Sequence, residues 1–232
     1  EDEITSYHAD IAASIQKCLE FIVINQLNHL YNRYDICNLC LAGGVALNCV
    51  LINQIYERTN FKNIHIPLSP GDSGASYGAA LGLYYNKIKK GSYDYEKLES
   101  PYLGPEFYNY EIEESLKNKN LKYKKITDEN ELINLIVSYL KKRRVIGIFK
   151  GRSEFGPRAL GARSIISLAD GEKTQSRINL KVKFREGFRP FAPSIIHDRG
   201  TEVYENYKYE PFMQNVFKVK KDQILLNSFE KK

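Results

Sequence analysis

The chain has 232 residues, of which 43% are apolar and 27% are charged. This balance is typical of a globular protein and argues against collagen-like, disordered and membrane classes. The length corresponds to one or two domains and is enough to bury a core without disulfide or metal cross-links. Thirty-four basic and 28 acidic residues leave a net charge of +6, a mild excess that suits small anionic substrates as well as nucleic acid. No apolar run approaches the roughly 20 residues that a membrane span needs, so we expect no membrane partner.

The first part of the chain alternates between helical and extended patterns. Apolar spacing predicts a helix over 11–30, and an apolar strand follows over 36–41. Further along we predict a helix over 45–56, a strand over 64–68 and a helix over 75–89. This order indicates an α/β fold that needs more strands than the segment supplies.

Gly, Ser, Tyr and Pro dominate residues 91–105, which predicts a domain boundary there. We therefore divide the chain into a first domain, 1–95, and a second, 96–232. In the second domain we predict helices at 109–117, 129–140 and 173–180, strands at 145–149 and 164–168, and extended segments at 121–126 and 188–196. Because the chain begins at Glu1 without a Met, we expect it to be cut from a longer protein.

All four cysteines lie in the first quarter of the chain, and Cys37 and Cys40 form a CxxC pair. A CxxC pair is typical of zinc-binding and redox sites. Residues three apart on a strand point to opposite faces, so we expect buried thiols rather than ligands of one metal. A reducing, cytoplasmic compartment is the expected location.

Two glycine-rich turns each join a predicted strand to a predicted helix. Gly43 and Gly44 let a ligand approach the backbone, the first amides of the next helix favour an anion, and Asn48 would bond ribose or phosphate. In the second turn, Pro70 to Gly74, Asp72 would hold a hard cation beside a polyphosphate. The alternatives are a plain strand-to-helix turn in the first case and helix capping in the second. Their shared topology predicts that both turns line one cleft.

The second domain carries five arginines interleaved with Gly, Pro and Phe: Arg152, Arg158, Arg163, Arg185 and Arg189. Guanidinium groups match phosphate and carboxylate oxygens in pairs and stay charged when partly buried. Gly156 and Gly161 have the spacing of a P-loop, but Ala162 follows where Lys is required, which excludes that motif. The alternative is a solvated basic face or an RNA groove. Because rigid residues separate the arginines, we favour a small anion pocket.

These motifs resemble the carbamoyltransferase family, whose members include nodulation-factor and antibiotic-tailoring O-carbamoyltransferases. The resemblance rests on residues 39–48, on 70–82, on 151–164 and on 188–194, which occur in the family's order. It covers most of the chain from about Tyr7 to Met213. The last two motifs are long and unusual, so they are highly specific.

The resemblance implies the end of an actin/Hsp70-like (Kae1-like) nucleotide-binding domain, followed by an incomplete YrdC-like α/β domain. It also implies an enzyme that converts carbamoyl phosphate and ATP to a carbamoyl-adenylate, whose carbamoyl group passes to a hydroxyl of a sugar or small metabolite. ATP and a divalent metal, Fe or Mg, are the implied cofactors. The family's metal site also uses two histidines from an N-terminal half that these residues lack.

When the family's motifs are matched to this sequence residue by residue, the resemblance implies the following candidate site. Gly43, Gly44 and Asn48 match the nucleotide loop and Asp72 the metal-ligating Asp. The five arginines are assigned to catalysis, by charge stabilisation, and Lys150 and Ser194 to substrate binding. The partner that completes the site is then either the N-terminal half or a second copy of the chain. The alternative function is a non-catalytic relative that binds anions or RNA, although the arginine pattern argues against nucleic acid.

Overall fold

The computed structural model describes residues 4–88, 100–169 and 171–224. Helices and two small two-stranded sheets make up this part of the chain, which agrees with the predicted α/β class. The chain divides into two compact units, Glu1–Lys97 with Tyr204–Val219, and Leu98–Val203 with Lys220–Lys232. The predicted boundary between residues 95 and 96 lies outside the described residues. Among the described helices, none is both long enough and apolar enough to cross a membrane.

Among its described residues, the first unit contains three α-helices and two strands. In chain order they are α1 (Ser6–Tyr34), β1 (Asn38–Cys40), α2 (Cys49–Arg58), β2 (Asn63–His65) and α3 (Gly74–Leu83). The predicted helix over 45–56 is split, because Gly44–Leu47 is a 3-10 turn and α2 begins only at Cys49. The helix predicted over 75–89 ends at Leu83 and continues as a π-helical turn, Tyr84–Ile88; residue 89 is not among the described residues.

The core of the first unit lies where α1, α2 and the sheet meet. Strands β1 and β2 pair in parallel, with Leu39 opposite Ile64. The buried core side chains are Ile24 and Leu27 of α1, Leu51, Ile52 and Ile55 of α2, and Phe61. Burying one such side chain stabilises a fold by about 1.5–3 kcal/mol, so this cluster is the main source of stability in the unit.

The expectation of buried thiols for the CxxC pair is wrong for Cys40, which is exposed, while Cys37 is partly buried. Cys18 and Cys40 are exposed, and Cys37 and Cys49 are partly buried; all four are free thiols. On β1 only Leu39 is turned towards the core cluster, while its neighbour Cys40 points to the opposite face. Cys40 is exposed because no described element covers that face of the two-stranded sheet.

The segment Tyr204–Val219 packs with the first unit, whereas the sequence analysis assigned it to the second domain. The side-chain amide of Gln214 donates to the carbonyl oxygens of Ile66 and Pro67, at 3.3 and 2.8 Å. These long-range hydrogen bonds attach the segment to the end of β2. No periodic pattern accompanies such a contact, which is why the sequence did not indicate it.

The described part of the second unit contains α-helices and one antiparallel strand pair. Its elements are α4 (Asn109–Asn118), α5 (Glu129–Lys141), β3 (Ile146–Phe149), β4 (Arg163–Ile166), α6 (Glu172–Lys181) and the short α7 (Gly200–Val203). Strands β3 and β4 pair antiparallel, from Ile146 opposite Ile166 to Phe149 opposite Arg163. The chain between the two strands, together with Arg163, is called the arginine loop below (residues 150–163).

Candidate functional site

The structure brings the two glycine-rich turns together. Because β1 and β2 are parallel neighbours, their C-terminal ends meet at one edge of the sheet, where ligands bind in open α/β folds. There the backbone N–H of Gly43 donates to the carbonyl oxygen of Pro70 at 2.7 Å. The turns at residues 42–48 and 69–74 are called the glycine-turn pair below.

Gly43 and Gly44 leave their side of the turn open to a ligand. Gly43 has a φ of +96°, a conformation that glycine adopts without steric cost. Among the described atoms, none lies within 4 Å of where a Cβ on Gly43 or Gly44 would be. Both glycines are exposed, so their backbone is accessible to an anion.

The Asn48 side chain is bonded at both ends within the protein. Its carbonyl oxygen accepts the Leu51 amide at 3.0 Å and so caps α2. Its amide nitrogen donates to Oε1 of Gln16 at 2.8 Å. These contacts give Asn48 a structural role as a helix cap, and its predicted role in nucleotide binding stays a prediction.

The second turn is compact, and Asp72 projects from it. A Cβ on Gly74 would lie 1.9 Å from the carbonyl oxygen of Ser69, so only glycine fits this position. Ser69 and Ser73 join their hydroxyls in a hydrogen bond inside the turn. Ser73 lies at the N-cap of α3 without a capping side-chain bond, so the capping alternative is not observed there. Asp72 is exposed, and no described side chain bonds to its carboxylate.

The described residues do not form a metal site by themselves. Within residues 4–88, 100–169 and 171–224, no three His, Cys, Asp or Glu side chains are grouped as a metal ion requires. Asp72 alone does not supply the six or more oxygen ligands of a hard cation. Its role as a metal ligand stays a prediction.

A glutamate that the sequence analysis did not single out organises the arginine loop. Oε1 of Glu154 accepts the backbone amides of Leu160, Ala162 and Arg163, at 2.7, 2.9 and 3.3 Å. Burial raises the pKa of the Glu154 carboxyl, but these backbone hydrogen bonds outweigh it and leave the pKa below its ordinary value. The loop is therefore folded around an internal carboxylate.

Arg163 is fixed against the backbone of the same loop. Its guanidinium donates to the carbonyl oxygens of Lys150 and Ala162, at 2.9 and 3.0 Å, and to that of Gly151 at 3.1 Å. The guanidinium carbon also lies 3.6 Å from the centre of the Phe149 ring, in a cation–π contact. Most of the guanidinium N–H groups of Arg163 are thus hydrogen-bonded within the protein.

Two other cations of the arginine loop are more accessible than Arg163. Lys150 and Arg152 are exposed, and Arg158 is partly buried. One guanidinium nitrogen of Arg152 donates to the carbonyl oxygen of Leu103 at 3.1 Å. Lys150 and Arg152 are therefore better placed than Arg163 to meet a ligand from solvent.

A short preceding segment supports the loop from one side. The amide of Gly104 donates to the carbonyl oxygen of Ser153 at 2.9 Å, and the amide of Ser153 donates to that of Pro105 at 3.0 Å. A Cβ on Gly104 would lie 2.0 Å from the Ser153 hydroxyl, so the two backbones approach as closely as glycine allows. This pairing adds to the rigidity that Glu154 provides.

The second arginine stretch, residues 185–194, is held by α6. Asn179 is fully buried and donates to the carbonyl oxygens of Gly187 and Arg189, at 3.1 and 2.8 Å. Its own oxygen accepts Nε of Arg185 at 2.8 Å. Arg189 is exposed and pairs with Glu186 at 2.7 Å. Ser194, further along the stretch, is exposed.

The contacts of the two arginine stretches remain separate. In the described part of the chain, Arg152 and Arg163 bond to carbonyl oxygens of residues 103, 150 and 151, whereas Arg185 and Arg189 bond to side chains of residues 179 and 186. The two described cavities, of about 250 and 390 Å³, lie along α4 instead. Phe149 lines the smaller one, and neither is lined by a predicted site residue. The expected convergence of both stretches on one anion therefore stays a prediction.

Two organising residues were missed by the sequence analysis, Glu154 and Asn179. Each bonds to backbone amides or carbonyls of a loop, so neither belongs to a periodic pattern. Glu154 lies between Gly151 and Gly156 and is the one carboxylate in residues 150–163, which is the pattern that indicates it. Asn179 stands between Ile178 and Leu180 on α6, where an amide among apolar residues indicates a buried hydrogen-bonding role.

The fold and these loops define an α/β protein with two candidate anion-binding regions, one in each unit. A family model for the carbamoyltransferase N-terminus matches residues 1–81, and a model for the carbamoyltransferase C-terminus matches residues 137–228. Together the two matches cover more than half of the chain, which therefore belongs to the carbamoyltransferase family.

Individual relatives are similar over nearly the whole chain. One is "Uncharacterized protein sll1178" of Synechocystis sp., 40% identical over 96% of this chain and 37% of its own length. Nodulation protein NolO of Bradyrhizobium diazoefficiens is 35% identical over 93% of this chain and 40% of its own length. Nodulation protein U of Sinorhizobium fredii is 28% identical over 88% of this chain and 34% of its own length. The chain thus spans between a third and two fifths of the length of these relatives.

Proposed function

We propose that the chain is the C-terminal portion of an O-carbamoyltransferase. The complete enzyme takes a carbamoyl group from carbamoyl phosphate, carries it as an ATP-derived carbamoyl-adenylate, and transfers it to a hydroxyl of a sugar or small metabolite. Water first releases phosphate from carbamoyl phosphate to give carbamate, whose oxygen bonds to the α-phosphorus of ATP as pyrophosphate leaves. In the last step the acceptor hydroxyl loses its proton, its oxygen bonds to the carbamoyl carbon, and AMP leaves. Family membership supports the carbamoyl chemistry, while the nucleotide, the donor and the acceptor are our proposals.

The observation that carries the proposal is the hydrogen bond from Gly43 to Pro70. It brings two accessible glycine-rich turns to the C-terminal edge of a parallel strand pair. Backbone amides and small residues at such an edge suit the phosphates of a nucleotide. We assign ATP to the glycine-turn pair, with Gly43 and Gly44 admitting the phosphates and Asn48 shaping the turn as the cap of α2.

The proposed reaction also requires positive charge close to its two anionic substrates. Carbamoyl phosphate and ATP are both anions and repel each other, so fixed cations must offset their charge before they react. In our proposal Lys150, Arg152 and Arg158 contact the donor from the arginine loop. Arg163 fixes the loop and contributes its positive charge at a distance. Arg185 and Arg189, with Ser194, belong to the same donor site from the second stretch.

The finer architecture follows the family resemblance. We propose that the first unit is the end of a Kae1-like domain, and that the second unit is a YrdC-like domain. A divalent metal, Fe or Mg, with Asp72 as one ligand, belongs to the same proposal and requires donors from beyond the described residues. An N-terminal half or a second copy of the chain would complete the site, and the cytoplasm is the proposed location.

Calorimetric titration of this chain tests the binding part of the proposal. ATP and carbamoyl phosphate are each expected to release heat on binding at constant salt. A short RNA is the matched comparison, because the alternative function is a non-catalytic anion- or RNA-binding relative. RNA binding that weakens steeply with salt, with no heat from either small ligand, would contradict the transferase proposal.

A second experiment tests the chemistry on the protein that contains the full N-terminal region. Labelled carbamoyl phosphate, ATP and candidate hydroxyl acceptors are incubated with the protein, and AMP release is followed. Arg158→Ala is expected to lower the rate by several powers of ten while the fold stays intact. A wild-type rate in that variant would remove Arg158 from the proposed site.

A further inference from the structure

The segment Tyr204–Val219 is a closed loop that packs on itself. Its two ends form an antiparallel bridge, and the Glu205 amide donates to the Lys218 carbonyl at 2.8 Å. Inside the loop the Phe217 ring contacts those of Tyr204 and Tyr207, with centroids 6.2 and 5.3 Å away. Close ends and internal packing are the properties of an Ω-loop, a type of loop that often has a function. We call it the Ω-loop below.

A carboxylate fixes the tip of the Ω-loop. Oε1 of Glu210 accepts the backbone amides of Phe212 and Gln214, at 3.1 and 3.2 Å. Between them, Met213 adopts a φ of +55°, a tight turn that the two hydrogen bonds stabilise. Glu210 is partly buried. The tip therefore presents the Gln214 side chain in one defined direction.

Gln214 contacts the chain just before the second glycine-rich turn. Its Nε2 donates to the carbonyl oxygens of Ile66 and Pro67, the two residues that follow β2. The same backbone leads directly to Pro70, whose carbonyl accepts the amide of Gly43 at 2.7 Å. The side-chain amide of Gln214 thus holds the backbone just before the second glycine-rich turn.

A second contact keeps the tip in place. The Lys208 ammonium nitrogen lies 4.3 Å from the centre of the Tyr56 ring on α2, within the range of a cation–π interaction. Tyr56 itself packs against the core cluster of the first unit. The Ω-loop is therefore attached to the first unit at two points, the backbone that follows β2 and the Tyr56 ring on α2.

We propose that Gln214 is a positioning residue that holds the second glycine-rich turn where it meets the first, and that it thereby sets the affinity of the pair for a nucleoside triphosphate. The affinity part rests on the proposed nucleotide role of the turns. Gln214 touches no reacting atom in this proposal and acts only through the backbone of Ile66 and Pro67.

Gln214→Met tests this in the full chain, because Met has a similar volume and no donor. Hydrogen–deuterium exchange is expected to be faster in peptides covering 66–74, and unchanged in peptides of α5 and β3. ATP affinity is expected to fall about tenfold, whereas carbamoyl phosphate affinity stays the same. A variant that only loosened the whole protein would change both affinities and all exchange rates.

Three companion variants make the result specific. Gln223→Met removes an exposed amide elsewhere and is expected to change neither measurement. Glu210→Gln keeps the acceptor oxygen and is expected to behave as wild type, whereas Glu210→Ala is expected to match Gln214→Met. Unchanged exchange over 66–74 in Gln214→Met, or faster exchange with unchanged ATP affinity, would overturn the inference. If wild type binds no ATP, the nucleotide proposal fails, and exchange over 66–74 alone decides whether Gln214 positions the turn.

Discussion

The guanidinium of Arg163 stacks on the Phe149 ring directly opposite it in the β3–β4 hairpin, and its nitrogens reach back to the carbonyl oxygens of Lys150 and Gly151. One side chain thereby joins the last residue of β3 to the chain that leaves it. The sequence predicted that Arg163 would act on the ligand. In the structure its contacts instead hold the arginine loop against β3.

Arg163→Lys is expected to destabilise the second unit, because an ammonium keeps the charge but cannot bridge several carbonyls or stack as a plane. From the hydrogen bonds lost we expect a decrease of about 1–3 kcal/mol in the free energy of unfolding, measured with urea. Arg152→Lys is the control, since Arg152 is exposed and makes one such bond, and it should change stability by less than about 0.5 kcal/mol. Equal stability of the two variants would refute the anchoring role.

The two adjacent glycines of the first turn are expected to respond differently to alanine. Gly43→Ala places a side chain at a φ of +96° and should cost about 1–3 kcal/mol of stability. Gly44→Ala lacks that strain and has no described atom within 4 Å of the new methyl group, so the fold should tolerate it. Thermal unfolding separates the two variants.

ATP titration of the same pair tests the site itself. In the proposed site the new methyl group of either variant enters the space of the phosphates, so both should bind ATP more weakly. If Gly44→Ala binds ATP as wild type does, the nucleotide does not approach this turn.

The Glu154 carboxylate predicts a pH dependence of stability. Its pKa in the folded protein lies below its ordinary value, because backbone hydrogen bonds outweigh burial. The carboxylate therefore stabilises the fold above the ordinary glutamate pKa of about 4.3, and this contribution is lost as the pH falls through the folded-state pKa. Glu154→Gln should be less stable than wild type at pH 7, and the difference should shrink below about pH 4. A difference that grows on acidification would contradict this assignment.

Asn179 is expected to control the shape of the second arginine stretch. Asn179→Leu keeps the volume but leaves the carbonyls of Gly187 and Arg189 without their donor, which should cost about 1–3 kcal/mol. Leu180→Ala, at an exposed neighbouring position, should cost less than about 1 kcal/mol. Urea unfolding measures both, and carbamoyl phosphate affinity should fall only for the Asn179 variant. An unchanged affinity would separate this stretch from the donor site.

Helix positions were predictable because periodic burial is a local property of the sequence. The pattern predicted a helix over 129–140, and α5 spans Glu129–Lys141; it predicted 109–117, and α4 spans Asn109–Asn118. The meeting of the two glycine-rich turns was also predictable, since parallel neighbouring strands bring their ends to one edge.

Side-chain-to-backbone contacts could not be predicted in the same way. Glu154, Asn179 and Gln214 each bond to loop amides or carbonyls, and such contacts depend on the path of a loop rather than on residue spacing. The exposure of Cys40 could not be predicted for a related reason. The sequence of a short apolar strand does not indicate whether the second face of that strand is covered. The sequence thus indicated the cations of the candidate site but not the residues that arrange them.

A loop that closes around one of its own carboxylates has the same shape before and after its ligand arrives. The three amides bonded to Glu154 are already ordered, so in the proposed donor site the backbone of the arginine loop would not have to rearrange when a phosphate binds. Association should then be limited by diffusion and charge attraction rather than by a conformational step, and the on-rate should vary with ionic strength more than with temperature.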